Sequence, residues 1–186
     1  MFSCRIDDAL ELRPWDHRHA EELFAQVDRN RQHLRQWLPW VDQTKAVDDT
    51  RQFIRRSIEQ HARNEGFHVG IFEGGRIVGG VGLVYLNWDH DRSEVGYWLS
   101  ADAQGRGVMT RACGRVVEHL FDIGVNRVEL RCGVGNARSR AVAERLRFTH
   151  EGTIRQVQRI RERYVDLAVY GMLAHEWRRL REEARR

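Results

Sequence analysis

Gln104-Gly105-Arg106-Gly107-Val108-Met109 follows a strand-like run, Glu94-Val95-Gly96-Tyr97-Trp98-Leu99, and opens a segment of helical periodicity. A helix start leaves about four backbone N–H groups without intrahelical partners and carries the positive end of the helix dipole, so such a turn attracts phosphate. Gly105 and Gly107 let the backbone approach a ligand and take dihedrals that a side chain would penalise, and Arg106 and Arg111 add cationic charge. The chemistry on offer is binding of a phosphorylated ligand, although an ordinary strand-to-helix turn would use the same glycines. Neither Gly-x-x-x-x-Gly-Lys-Ser/Thr nor Gly-x-Gly-x-x-Gly occurs, and Lys45 is the only lysine. Gly133-Val134-Gly135 meets Arg138 where a third glycine would stand, which argues against a dinucleotide fold as well as a P-loop enzyme.

Other reactive side chains are sparse. Cys4, Cys113 and Cys132 form no CxxC pair and are odd in number, which fits a reducing compartment, the cytoplasm, better than a disulfide scaffold. Cys113, in a helical stretch, and Cys132, in a strand, have no histidine close in sequence and read as small packed residues rather than covalent nucleophiles. His17 and His19 are the only closely spaced histidines, and surface roles suit them better than metal ligation, so no metal is expected. The net charge of +4 rests on arginine, and Arg178, Arg179, Arg181, Arg185 and Arg186 end the chain in a basic tail. Glu176, Glu182 and Glu183 interrupt that tail and no aromatic interleaving accompanies it, so a solvated helix end is expected rather than a nucleic-acid site.

The elements that must position these residues follow from periodicity. With 186 residues, 41% of them hydrophobic, and no linker or repeat, the chain reads as one domain, 1–186. Met1 to Asp8 lacks an apolar signal region, and the longest apolar stretch, Ile77 to Leu86, is broken by Gly79, Gly80 and Gly82, so secretion and membrane spanning are not expected. A strand is expected over Arg5 to Arg13. Helices are expected over Trp15 to Val27, capped by Asp16, over Arg29 to Trp37, stopped by Pro39, and over Val47 to Arg63. Phe67 to Phe72 and Arg76 to Leu86 read as a hairpin through Gly74-Gly75, and Ser93 to Leu99 as a further antiparallel strand. Val108 to Ile123 is a helix with Ala112, Val116, Leu120 and Ile123 on one face. Val128 to Cys132, Ala137 to Leu146, Glu151 to Arg161 and Tyr164 to Met172 complete a strand, a helix and a strand pair. A hairpin sheet joined to a right-handed βαβ unit is a mixed α/β sandwich, and Gly96 marks a bulge or a close ligand approach.

In this order the chain resembles the GNAT superfamily of N-acetyltransferases, and within it the ribosomal-protein serine and alanine N-terminal group. The resemblance is carried by Trp37-Leu38-Pro39-Trp40, Glu94 to Leu99, Gln104 to Met109, Asn136-Ala137-Arg138-Ser139, Phe148 with Glu151-Gly152, and Arg163-Tyr164-Val165-Asp166. It implies a mixed, mainly antiparallel sheet of about seven strands, with helices on both faces and splayed central strands. It also implies acetyl-CoA as acyl-donor cosubstrate, with Leu99 backbone groups on the pantetheine arm, Gln104, Gly105, Arg106, Gly107, Val108, Met109 and Thr110 on the pyrophosphate, and Asn136 beside the splay. Met109 departs from the Gln/Arg-x-x-Gly-x-Gly/Ala motif; peptide N–H groups do the binding, so the loop's role is expected to survive.

Acyl transfer to an amine needs a neutral amine and a proton for the departing thiolate. Glu94 is expected to be the base, acting through water, against a plain surface pairing with Arg92. Ser139 is implied as the acid, against a helix-capping serine. Trp37 and Trp40 form an implied aromatic wall for the acceptor, faced by Tyr164 and Asp166, while Trp15 and Trp177 are packing. The acceptor is expected to be a protein or peptide N-terminus, or alternatively a small amine such as an antibiotic, polyamine or amino acid. A CoA-binding sensor without turnover is the remaining alternative, and a homodimer is compatible with the resemblance.

Overall fold

The computed structural model describes residues 3–184; the last two arginines of the basic tail, Arg185 and Arg186, lie outside them, as do Met1 and Phe2. Eight strands form one sheet in the order β1-β2-β3-β4-β5-β6-β8-β7. They are β1 (Cys4–Arg5), β2 (Leu10–Pro14), β3 (His68–Glu73), β4 (Arg76–Asn87), β5 (Arg92–Leu99), β6 (Arg127–Gly133), β7 (Thr149–Ile160) and β8 (Arg163–Leu173). Every neighbouring pair is antiparallel except β5 and β6, whose parallel pairing requires the crossover helix α4 (Val108–Asp122) between them.

Two apolar layers sandwich this sheet. On one face α1 (Ala20–Arg29) and α3 (Val47–Ala62) bury Leu23, Val27 and Ile54 against Trp15, Phe72 and Ile77. On the other, α4 buries Val108, Ala112, Cys113, Val116 and Leu120 against Val81, Leu83, Val95, Val128 and Leu130. Val142 of α5 (Ala137–Arg145) and Trp177 of α6 (Ala174–Glu183) extend that second layer. Trp15 is buried and Trp177 partly so, both as packing. Ile123 falls just past the end of α4 and is exposed instead of joining its apolar face.

Local chemistry explains where the elements depart from periodicity. The strand expected over Arg5 to Arg13 is two strands, because Asp7 Oδ1 accepts from the N–H groups of Ala9 and Leu10 at 2.9 and 2.8 Å and closes a turn between them. That division raises the strand number from about seven to eight. The helix expected over Arg29 to Trp37 shrinks to α2 (Arg31–Leu34). Arg31 donates to the carbonyls of Val41 and Thr44 at 2.5 and 2.7 Å, folding the chain back so that Pro39 opens a 3-10 turn, Pro39–Asp42. Asp16 does cap the next helical segment, accepting from Arg18 N–H, but that segment begins as a 3-10 turn, His17–His19. His19 Nδ1 accepts from Asp16 N–H in return, and its ring meets Trp15 and Phe72, so it is structural. Gly74 and Gly75 both have positive φ, 56° and 78°, as a tight hairpin turn requires.

Candidate active site

The site begins where β5 and β6 part. Their pairing covers only Arg92, Ser93 and Glu94 opposite Arg127, Val128 and Glu129. Beyond that point β5 continues alongside β4 alone and β6 alongside β8 alone. Ser100 N–H donates to Val78 O at 2.8 Å, so the antiparallel alternation points the N–H and C=O groups of Val95, Tyr97 and Leu99 into the opening. Trp98 N–H turns toward β4 by the same alternation. An extended, amide-bearing ligand can pair with such a free strand edge as an added strand would. Gly96 contains no bulge itself. The register shift lies opposite, between Leu83 and Tyr85 in β4, and a Cβ at position 96 would stand 3.0 Å from Val84 Cγ2.

At the far end of this edge the chain turns into α4. Gly105 and Gly107 have φ of 77° and 73°, the left-handed region that glycine enters without penalty, and a Cβ on either would meet nothing within 4 Å. Gly107 caps α4 without a side chain, which leaves the first-turn N–H groups of Val108, Met109 and Thr110 for a ligand. Gln104 is held by His33, Nε2 to Nε2 at 2.6 Å; burial and the nearby Arg138 lower the His33 pKa, so the ring is neutral and accepts. Asn30 adds a second tie, its Oδ1 accepting from Ala101 N–H at 2.9 Å. Arg106 faces away: both its Nη atoms meet the Glu73 carboxylate, at 2.9 and 2.8 Å. Arg111 pairs with Asp7. The cationic charge expected from these two arginines is therefore already neutralised.

Glu94 sits at the fork itself. Its partner is not Arg92, whose guanidinium lies over the Tyr85 ring, but Arg131 of β6, Nε to Oε2 at 3.4 Å. Burial raises the Glu94 pKa; Arg131 opposes the shift and Glu129 adds to it. Sequence reasoning misses Glu129 and Arg131. They alternate with the buried Val128 and Leu130 along β6, and charges at period two on a covered strand are the signal that could have found them.

On the other side of the opening, Ser139 lies in the first turn of α5. Asn136 is the cap of that helix, its Oδ1 accepting from Ser139 N–H at 3.1 Å, which frees the serine hydroxyl for another partner. That partner is Tyr97 OH, 2.9 Å away. Burial raises the Tyr97 pKa well above its ordinary value, so the phenol keeps its proton at neutral pH. Sequence reasoning misses this tyrosine as well. Cys132 is a further neighbour of Ser139, and burial raises its pKa; Cys113 is fully enclosed and its pKa is pushed up to about 12. Neither thiol is an activated nucleophile.

One cavity of about 1670 Å³ takes in both ends of this arrangement. It is larger than the roughly 300–1,000 Å³ of a single small-ligand pocket and has room for two substrates. Glu94, Leu99, Gln104, Gly105, Gly107 to Thr110, Asn136, Ser139, Trp37 and Trp40 line it. Trp37 closes one side, packed so near Gly133 that a Cβ there would stand 3.3 Å from its ring. Arg106, Tyr164 and Asp166 do not line it. Tyr164 is about 62% exposed, and Asp166 Oδ1 accepts from Gln156 N–H at 2.7 Å across the bulge of β7, where Gln156 has a φ of 50°. Asp166 therefore secures the hairpin rather than facing an amine.

A free strand edge runs from a glycine-capped helix to a desolvated carboxylate, and residues 9–149 match the acetyltransferase (GNAT) domain family. This chain is a GNAT acetyltransferase. YdaF of Bacillus subtilis (strain 168), a putative ribosomal N-acetyltransferase, is 31% identical over 182 residues, covering 95% of this chain and 98% of YdaF. RimL, the ribosomal L7/L12 alpha-N-protein acetyltransferase in complex with coenzyme A, superposes with a TM-score of 0.90 at 27% identity, covering 94% of this chain and 99% of that one. The microcin C7 self-immunity acetyltransferase MccE, in complex with acetyl-CoA and AMP, superposes with a TM-score of 0.87 at 25% identity, covering 90% of this chain and 94% of that one. This GNAT chain thus shares its mixed sheet with both, and its described residues include no helix long and apolar enough to cross a membrane.

Proposed function

We propose that this acetyltransferase transfers an acetyl group from acetyl-CoA to the α-amine of a protein or peptide N-terminus, with both substrates in the cavity at once. The observation that carries the reading is the single open edge of β5, which leads from the Gly107-capped helix to Glu94. A pyrophosphate joined to an extended amide arm fits that path, with phosphates at Val108 to Thr110 and the arm along Leu99 and Tyr97. Bound there, acetyl-CoA supplies an activated acyl group. Asn136, which spends its Oδ1 on the α5 cap, helps by fixing the wall of the opening.

The protein's own groups then divide the proton transfers. Glu94 takes a proton from the incoming amine, through water, and its raised pKa strengthens it as a base. An α-amine has a pKa of about 8, so roughly a tenth is neutral at pH 7 and a carboxylate suffices; a lysine side chain near 10.4 would ask far more. The Tyr97–Ser139 hydroxyl pair holds a proton on the opposite side for the departing sulfur. Trp37 and Trp40 wall the acceptor side. With both nearby thiols protonated, no covalent acetyl-protein step is needed.

A protein acceptor is favoured because YdaF and RimL are named for ribosomal N-acetylation and this chain spans nearly all of each. The similarity to MccE, bound to acetyl-CoA and AMP, supports a small amine as the second reading. Mass gain over a panel of N-terminal peptides and small amines, with acetyl-CoA, tests both. Acetylated peptides alone are expected; acetylation of small amines alone would reject the protein acceptor. Three free thiols suit a cytoplasmic enzyme, and sedimentation velocity would test the homodimer that the family resemblance allows.

A further inference from the structure

Glu94 is one of two carboxylates that share a single cation, and the other, Glu129, is the more deeply buried at about 4% exposed. Arg131 donates from Nε and Nη2 to the same oxygen of Glu129, at 3.0 and 2.7 Å. Its contact with Glu94 is longer, 3.4 Å from Nε. The other Glu129 oxygen accepts from Arg127 Nε at 3.0 Å, and Arg127 Nη1 donates to Glu151 of β7 at 2.7 Å. A chain of alternating charge therefore runs from the sheet edge to the fork, and Glu94 is its weakly paired end.

We infer that Glu129 is a positioning residue that draws Arg131 away from Glu94 and so keeps Glu94 basic; the inference rests on the reading of Glu94 as the general base. Two effects act in the same direction. Glu129 engages two of the Arg131 N–H groups that would otherwise turn to Glu94, and its own negative charge repels a charge on Glu94. The outcome is two neighbouring carboxylates whose environments push them apart. Burial opposes the charge on Glu129, but the Arg131 and Arg127 hydrogen bonds outweigh it and hold its pKa down, while that of Glu94 goes up. The remaining groups around Glu94 are few. Tyr85, its cross-strand neighbour on β4, has a buried hydroxyl without a hydrogen-bond partner, and burial raises its pKa, so it stays neutral; Arg92, on the same strand as Glu94, rests on the Tyr85 ring.

The test is the titration of Glu94, followed by carbon-13 NMR of its side-chain carboxyl and assigned by loss of the signal in Glu94→Gln. In Glu129→Gln, Arg131 is released to close on Glu94 and the like charge is removed, so the Glu94 midpoint is expected to fall by about one pH unit, the low end of shifts from a neighbouring opposite charge. In Arg131→Gln the midpoint is expected to rise. Glu129→Asp, which keeps the charge, should restore most of the wild-type value, which a merely structural loss would not. The acid limb of kcat/KM is expected to follow the same opposite shifts. A Glu94 midpoint that stays fixed in both variants, or moves the same way in both, overturns the inference. If Glu129→Gln does not fold, Arg131→Gln carries the test, and a Glu94 midpoint that does not rise overturns it. An acid limb that survives Glu94→Gln defeats the base reading instead, while the NMR titration still decides whether Glu129 controls the Glu94 midpoint.

Discussion

The two ends of the cavity are built from different materials. The proposed donor end is backbone: glycines at positive φ, the first turn of α4, which no side chain caps, and the free edge of β5. The proposed acceptor end is side chain: Glu94 at the fork beside Arg131, which Glu129 also engages, with Trp37 and Trp40 walling the same cavity. A backbone site tolerates side-chain change and answers to dihedral angles, whereas a side-chain site answers to single atoms. The Met109 departure from the family motif illustrates the first case, since its side chain is buried in the α4 layer while its N–H belongs to the open first turn.

The strongest break in that contrast should come from one atom at the acceptor end. Glu94→Gln is expected to lower kcat/KM by about 10²- to 10⁴-fold, the span of general-base contributions, with acetyl-CoA affinity unchanged by calorimetry. In the wild type Glu94, as the proposed base, would work only when ionised. Because the Glu94 pKa is raised, activity should climb with pH through a midpoint above the ordinary 4.5, and that limb should vanish in the variant. Loss of acetyl-CoA binding in Glu94→Gln would erase the distinction between the two ends. At the donor end the largest effect should come from a dihedral angle. Gly107→Val forces a β-branched residue to a φ of 73°, costing about 1–2 kcal/mol, so acetyl-CoA should bind roughly 5- to 30-fold more weakly. The thermal shift on adding acetyl-CoA measures it, with kcat at saturation preserved; undiminished binding would remove the loop from the phosphate site.

The same contrast explains what the sequence disclosed. Gln104 to Met109 is legible because a glycine pair between a strand and a helix is a local signal that fixes local geometry, and Gly74-Gly75 announces its hairpin for the same reason. Glu94 can be nominated from its strand, but its true partner, Arg131, lies 37 positions away and comes beside it only through the parallel pairing of β5 with β6. Tyr97 and Ser139 meet across a comparable separation. Asp166 misleads because the bulge in β7 that engages it leaves no mark on the local pattern. The short strand β1 and the shortened helix α2 are hidden likewise, by one aspartate side chain and one arginine bonding to distant carbonyls.

Intermediate effects should come from the hydroxyl pair, which is side chain but lies on the other side of the opening from Glu94. Tyr97→Phe and Ser139→Ala each remove one member and leave the other hydroxyl to hold the proton, so kcat should fall in each by less than the roughly 10²-fold lower end of general acid–base contributions. If the two act as one proton-holding unit, the double variant should lose more than the product of the two single losses. Fully multiplicative losses in single-turnover rates would show two independent roles.

The smallest effect should come from the residue that proximity in sequence makes most attractive. Arg106 stands inside the glycine loop, yet both guanidinium Nη atoms are committed to Glu73 and it contributes nothing to the cavity wall. An exposed pair of this type is worth at most about 1 kcal/mol to the fold. Arg106→Gln is therefore expected to change the KM for acetyl-CoA by less than about twofold and to leave the salt dependence of that KM nearly as it was. A tenfold rise would mean that the guanidinium leaves Glu73 for the phosphates when acetyl-CoA binds. In that case the donor end would depend on a side chain after all, and the division between a backbone end and a side-chain end would hold only for the ligand-free protein.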